Sequence, residues 1–184
     1  CSRREADRLI EKGEVWINGT LATMGTKVMP GDTVMVHHTT ITPCQKEYLL
    51  AFHKPAGIVC TTSKIDKNNV IDYLNFPERI YPVGRLDKES TGLLLLTNNG
   101  QLMDDILRGS NYHEKEYIVH VNKPITDSVL QAMAQGVPIL DTITRPCKIR
   151  RMGKDCFYIT LTQGLNRQIR RMCEYFDYRV TSLK

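Results

Sequence analysis

Two segments stand out when apolar and polar positions are followed along the 184 residues. Leu93, Leu94, Leu95 and Leu96 form an uninterrupted apolar run, bounded by Gly92 and by Asn98-Asn99-Gly100. Its shortness and its flanks predict a fully buried strand. In residues 165–176, Ile169, Met172, Cys173 and Phe176 recur at i, i+3, i+4 and i+7. That spacing predicts an amphipathic helix with a core-facing stripe, and Asn166 is its expected N-cap.

The rest of the pattern divides the chain in two. Ser2 and Glu5 form a capping box, Ala6, Leu9 and Ile10 give the following helix a core face, and Gly13 ends it. Strands are predicted at 14–18 and 33–37, with Asn18-Gly19 and Pro30-Gly31-Asp32 as turns. Residues 37–46 show no hydrophobic period and read as a linker. Beyond them come strands at 48–53, 116–121, 143–150 and 156–162, and helices at 101–108 and 126–135. Strands and helices are mixed without strict alternation, so a largely antiparallel α+β sheet is predicted rather than a doubly wound one. The expected organisation is a small module at 1–40 and a larger domain at 47–184. The first is too short to hold much core by itself.

Composition narrows the class. With 41% hydrophobic and 24% charged residues, the chain suits a globular fold. No window approaches the roughly 18 apolar residues of a membrane span, and no signal peptide is visible. The six cysteines (1, 44, 60, 147, 156 and 173) include no C-x-x-C pair or compact ligand cluster, so reduced thiols in a cytoplasmic protein are expected. Net charge is +5, but it is unevenly placed. Residues 1–36 carry five bases and five acids, 37–144 ten and twelve, and 145–184 ten and three. A basic concentration in the last forty residues points to a polyanionic partner.

Candidate chemistry centres on Asp87, which lies in Gly84-Arg85-Leu86-Asp87-Lys88-Glu89-Ser90-Thr91-Gly92, just before the apolar run. Alone it would read as a turn-forming carboxylate. Arg167, Arg170 and Arg171 line the polar side of the predicted C-terminal helix, and alone would read as a solvated face. At about 100° per residue from Ile169, Arg170 falls at the edge of the apolar stripe and is the arginine placed to enter a cleft. No dinucleotide or P-loop glycine motif and no metal-ligand spacing is present, so no cofactor or metal is expected.

These two segments, together with Lys115-Glu116-Tyr117, resemble the signature motifs of pseudouridine synthases of the RsuA type, which modify ribosomal RNA. The N-terminal run from Cys1 to Gly13, followed by Val15-Trp16-Ile17-Asn18-Gly19, resembles their small αL RNA-binding module. His113-Glu114-Lys115-Glu116-Tyr117, Lys123-Pro124-Ile125-Thr126 and Gly136-Val137-Pro138-Ile139-Leu140 resemble most the RluF-like branch, which acts on large-subunit (23S) RNA.

The resemblance implies a mixed, largely antiparallel catalytic sheet with a central cleft. It implies Asp87 as the essential carboxylate, as nucleophile or as base, with Arg170 as the partner that orients it and keeps it ionised. Tyr117 becomes the aromatic platform for a flipped base, and Arg85 the residue that fills the gap in the stack. Arg3, Arg4, Arg8, Arg167 and Arg171 are then expected to contact phosphate. The expected partner is ribosomal RNA, with tRNA left open, and the protein is expected to be a monomer that needs no membrane. His53 and Asp177 depart from residues common in the family, and Asp177 suits a left-handed turn. The chain opens without methionine and stops after a strand-like run, where the family continues, so a fragment is expected. Two rivals share these features: a non-catalytic RNA-binding or ribosome-assembly protein, and an RNA-directed N-glycosidase.

Overall fold

A computed structural model describes residues 2–42, 46–63 and 65–184. Cys1 and Cys44 therefore lie outside the described residues. The chain divides into two compact units, Cys1–Lys46 and Glu47–Lys184.

In the first unit, α1 (Arg3–Glu11) starts at the capping box: Ser2 Oγ accepts from the Glu5 amide, and the Glu5 carboxylate accepts from the Ser2 amide. Strands β1 (Val15–Ile17), β2 (Thr20–Leu21), β3 (Val34–Val36) and β4 (Thr39–Thr40) form an antiparallel sheet in the order β2-β1-β3-β4. Asn18 and Gly19 turn β1 into β2 with positive φ, as the dipeptide predicts. The β3–β4 turn is built alike, on His37 and His38 at φ 48° and 63°. Histidine is not a hairpin signal, so the first residues of the expected linker are a strand pair instead. No residue of α1 is fully buried. Its Leu9 and Ile10 line, with Val15, Ile17, Val34 and Val36, an apolar concavity of about 210 Å³.

In the second unit, β5 (Leu49–Lys54), α2 (Val70–Leu74), β6 (Tyr81–Val83) and β7 (Gly92–Thr97) come first, and the strands pair antiparallel in the order β5-β7-β6. Then follow α3 (Gly100–Leu107), a 3₁₀ turn (Gly109–Asn111), β8 (Lys115–Val121), α4 (Asp127–Gln135), and a short hairpin of β9 (Pro138–Ile139) and β10 (Thr142–Ile143). Strands β11 (Lys148–Arg151) and β12 (Cys156–Leu161), helix α5 (Gln168–Tyr175) and β13 (Val180–Leu183) complete it. The second sheet runs β11-β12-β8-β13, antiparallel throughout. The Thr91 amide donates to the Leu183 carbonyl at 3.0 Å, and so joins the two sheets at the start of β7.

Each sheet has its own core. Val119, Phe157, Ile159, Met133, Ile169 and Met172 are buried between the four-stranded sheet and helices α4 and α5. Ile58, Val70, Ile80, Leu94 and Leu96 fill the other.

The predicted strands of the second unit differ from the observed ones at two places. The apolar run is the central strand of its sheet, but it alternates: Leu94 and Leu96 are buried while Leu93 is 68% exposed. With a period of two, only one face meets the core here. The strand expected at 143–150 is two strands, β10 and β11, because buried Thr144 and the following Arg145-Pro146-Cys147 turn the chain. Thr144 Oγ1 accepts from the Val137 amide at 2.9 Å, and the Cys147 amide donates to the Ala134 carbonyl at 2.9 Å.

Candidate active site

The loop between β6 and β7 carries Asp87, and backbone needs shape it. Gly84 sits at φ 84°, an angle that strains any residue with a Cβ, and a Cβ there would lie 3.3 Å from Leu107 Cδ2, which would have to shift slightly. Past it, the Ser90 amide donates to the Asp87 carbonyl at 3.0 Å, closing a turn that presents the carboxylate.

The loop is held from below by Lys54. Along β5, Leu50, Phe52 and Lys54 share a face by alternation, which carries Lys54 inward to complete burial. Its Nζ donates to the carbonyls of Pro55 at 2.7 Å and Lys88 at 3.2 Å. Burial pushes the ammonium pKa down, against the pull of Cys60, Glu89 and Asp87. The Gly57 amide donates to the same Lys88 carbonyl at 2.7 Å, so the residue after Asp87 is pinned twice. Alternation in 48–54 was the signal that could have singled out Lys54; its turn-forming neighbour Pro55 hid it.

Helix α5 supplies the partners. Arg170 Nε donates to Asp87 Oδ2 at 3.2 Å, and Arg170 Nη2 donates to buried Ser90 Oγ at 3.4 Å. Arg167 Nη1 also approaches Asp87 Oδ2, at 3.9 Å. Arg170 is the enclosed cation, with a side chain 12% exposed against 45% for Arg167. Arg171 turns back instead, its Nε donating to the Asn166 carbonyl at 3.1 Å and its Nη2 to Asn166 Oδ1 at 3.3 Å. Asn166 is thus not the N-cap. Arg167 holds that place in left-handed conformation, φ 50°, with no side-chain cap bond. Gln168 Oε1 accepts from the Leu165 amide at 3.0 Å, which ties the turn to the helix from inside.

Tyr117 reaches the same place from β8, opposite Ile159 and packed on the core. Its hydroxyl pKa is pushed up, first by burial and then by the negative charge of Asp87. Asp87, Arg170 and Arg167 therefore meet from one loop and the start of one helix, and Tyr117 on β8 lies within the field of the Asp87 carboxylate. Arg85 is exposed, and Arg3, Arg4 and Arg8 are exposed on α1 in the other unit. Such a site offers a carboxylate held by guanidinium donors beside a half-buried aromatic ring. Asp177 has φ 60°, the left-handed turn expected of it.

Residues 48–175 match the family described as RNA pseudouridylate synthase, and residues 1–34 match the S4 domain. The chain is 54% identical over 186 residues to the dual-specificity RNA pseudouridine synthase RluF of Salmonella typhi, with 100% of this chain and 64% of that protein covered. It is 33% identical over 194 residues to the ribosomal large subunit pseudouridine synthase B of Bacillus subtilis, covering 100% of this chain and 79% of that protein. A crystal structure of a pseudouridylate synthase superposes with a TM-score of 0.70 at 26% identity, covering 99% of this chain and 80% of the other. The chain thus spans 64% of the length of its RluF relative.

Proposed function

The chain belongs to the RNA pseudouridylate synthase family, and from that premise we propose that it isomerises a uridine of structured RNA to pseudouridine, with Asp87 acting on the target nucleotide. The observation that carries this reading is the Asp87–Arg170 pair at 3.2 Å, formed between residues 83 positions apart, whose carboxylate charge is felt at the Tyr117 hydroxyl.

The reaction breaks the bond from C1′ to N1, turns the uracil over and forms a bond from C1′ to C5. The proton on C5 leaves and N1 gains one, so atoms balance without a redox partner. Asp87 meets the sugar or base as nucleophile or as proton acceptor. Arg170 orients the carboxylate through its Nε–H. Tyr117 gives the extruded base a face to stack on, and Arg85, exposed at the loop, enters the space the base vacates. Arg167 and Arg171 attract phosphates, as do Arg3, Arg4 and Arg8 in the S4 module. The substrate class we assign is large-subunit (23S) ribosomal RNA, a cytoplasmic target. The name of the Bacillus subtilis relative refers to the ribosomal large subunit.

The test is incubation with ribosomal RNA, then carbodiimide-adduct primer extension and mass analysis. A new stop at one uridine with no change in mass is expected. Release of free uracil would mark an N-glycosidase. Binding without either would mark a non-catalytic RNA-binding protein.

A further inference from the structure

Tyr112 stands in the loop that leads from the 3₁₀ turn into β8. A bulky aromatic residue is there held at φ 50°, ψ 33°, in the left-handed region that large side chains rarely adopt. Its side chain does not repay that strain by burial, because the residue is 58% exposed. The loop around it is pinned: Asn111 Nδ2 donates to the Asp105 carbonyl at 2.6 Å, His113 Nε2 lies 3.3 Å from the same oxygen, and Glu114 pairs with Lys148 at 2.7 Å. A strained conformation kept by its surroundings at an exposed ring is a reason to look for a ligand.

Arg145 lies over this ring, its Cζ 4.7 Å from the centroid. It forms no ion pair among the described residues, so its charge is not spent on a carboxylate. The Arg145 amide donates to Gln163 Oε1, in the segment between β12 and α5 that delivers Arg167 and Arg170. Tyr112 also precedes Tyr117 by five residues of the same chain, at most about 17 Å. That is a span of a few nucleotides of single strand.

We propose that Tyr112 and Arg145 form a second stacking platform, which takes an unpaired RNA base flanking the target nucleotide. The inference rests on the RNA-modifying reading above. A ring with a guanidinium on it offers a π surface to any base and a positive charge to the adjoining phosphate. An unpaired cation beside an exposed aromatic suits RNA better than an apolar protein surface.

The experiment titrates the full chain, and its Tyr112→Phe, Tyr112→Leu and Tyr112→Asn variants, into a stem-loop RNA with 2-aminopurine at unpaired positions beside the target uridine. Affinity and fluorescence quenching are read together. Tyr112→Phe should keep both, since stacking needs the ring and not the hydroxyl. Tyr112→Leu and Tyr112→Asn should lose about tenfold or more in affinity and lose the quench. Asn accepts the left-handed region, so Tyr112→Asn should melt no lower than the wild type. Lower affinity at unreduced stability separates this effect from misfolding. Wild-type affinity and quenching in Tyr112→Leu overturn the platform, including the case in which the pair serves a protein partner. Every readout is of binding, so RNA that is bound but not isomerised counts against the proposed activity and leaves this comparison decisive.

Discussion

Arg170 Nε donates to Asp87 Oδ2 across 3.2 Å, and the pair is only partly open to solvent, at 12% and 28%. A charge-assisted bond in that setting fixes the orientation of the carboxylate. Asp87→Asn keeps the volume and an acceptor for Arg170 while removing the charge. It should lower the single-turnover rate by at least about a hundredfold, ~2.7 kcal/mol of barrier, with RNA affinity and the circular dichroism spectrum nearly unchanged. Residual activity above that level would remove Asp87 from the chemistry.

The three arginines of the α5 region should separate by salt dependence. Arg170→Ala should cost the most rate, with little sensitivity to salt, because its partners are Asp87 and buried Ser90. Arg167 stands 3.9 Å from the same carboxylate yet is 45% exposed, so its alanine variant should show a smaller rate loss together with a flatter salt dependence of binding. Arg171→Ala should change the salt dependence of binding and leave the rate at saturating RNA nearly intact. Equal, salt-insensitive losses at all three positions would contradict this division.

Alkaline pH should weaken the fold through its buried thiols, Cys147 and Cys173 foremost. Burial pushes Cys147 up to about 11 and Cys173 up to about 12. The unfolded chain loses these protons near the free thiol value, about 8.5, so above it the unfolded state binds fewer protons and stability falls with pH. The loss should begin near that value and level off past each folded one, with each thiol contributing a slope of roughly 1.4 kcal/mol per pH unit. Lys54 acts in the opposite sense: its depressed pKa makes stability rise with pH until the unfolded value, about 10.4, is passed. Denaturant midpoints of wild type and Cys173→Ala between pH 7 and pH 11 isolate the first effect. The variant should show the shallower fall, and parallel curves would refute it.

The S4 module should select the RNA without performing chemistry. Both core clusters of the second unit are formed by its own residues, from Ile58 to Leu183. Deleting residues 1–40 should therefore weaken binding to structured ribosomal RNA and leave Asp87-dependent isomerisation of a short stem-loop measurable at saturation. A folded deletion variant that binds the stem-loop normally but does no chemistry would show that the module helps build the site.

Much of this was legible in the sequence where one physical pattern acted alone. The period of Ile169, Met172 and Cys173 gave α5 its buried face, and the Ser2–Glu5 spacing gave α1 its cap. Local rules failed where tertiary context overrode them. Asn166 has cap chemistry, but Arg171 takes its oxygen, and Arg167 starts the helix in a conformation that propensity disfavours. His37-His38 and Leu140-Asp141 make positive-φ hairpin turns without glycine, so neither hairpin carries a turn signal in the sequence. Asp87 and Arg170 could each be singled out, but their contact joins residues 83 positions apart. No local pattern encodes that, and only the resemblance pointed to it.

The seam between the two sheets has a further meaning. Asp87 hangs from the strands on one side of it, and Tyr117 and Arg170 belong to the other. The Thr91–Leu183 bond stands at this joint, and Gly92 next to it, at φ 121°, lets the Lys184 backbone approach to 3.6 Å of where a Cβ would be. The two cores are distinct clusters on either side of that joint. Under gradual denaturation the order of events is thereby set: turnover should vanish while both sheets still give their full spectroscopic signal.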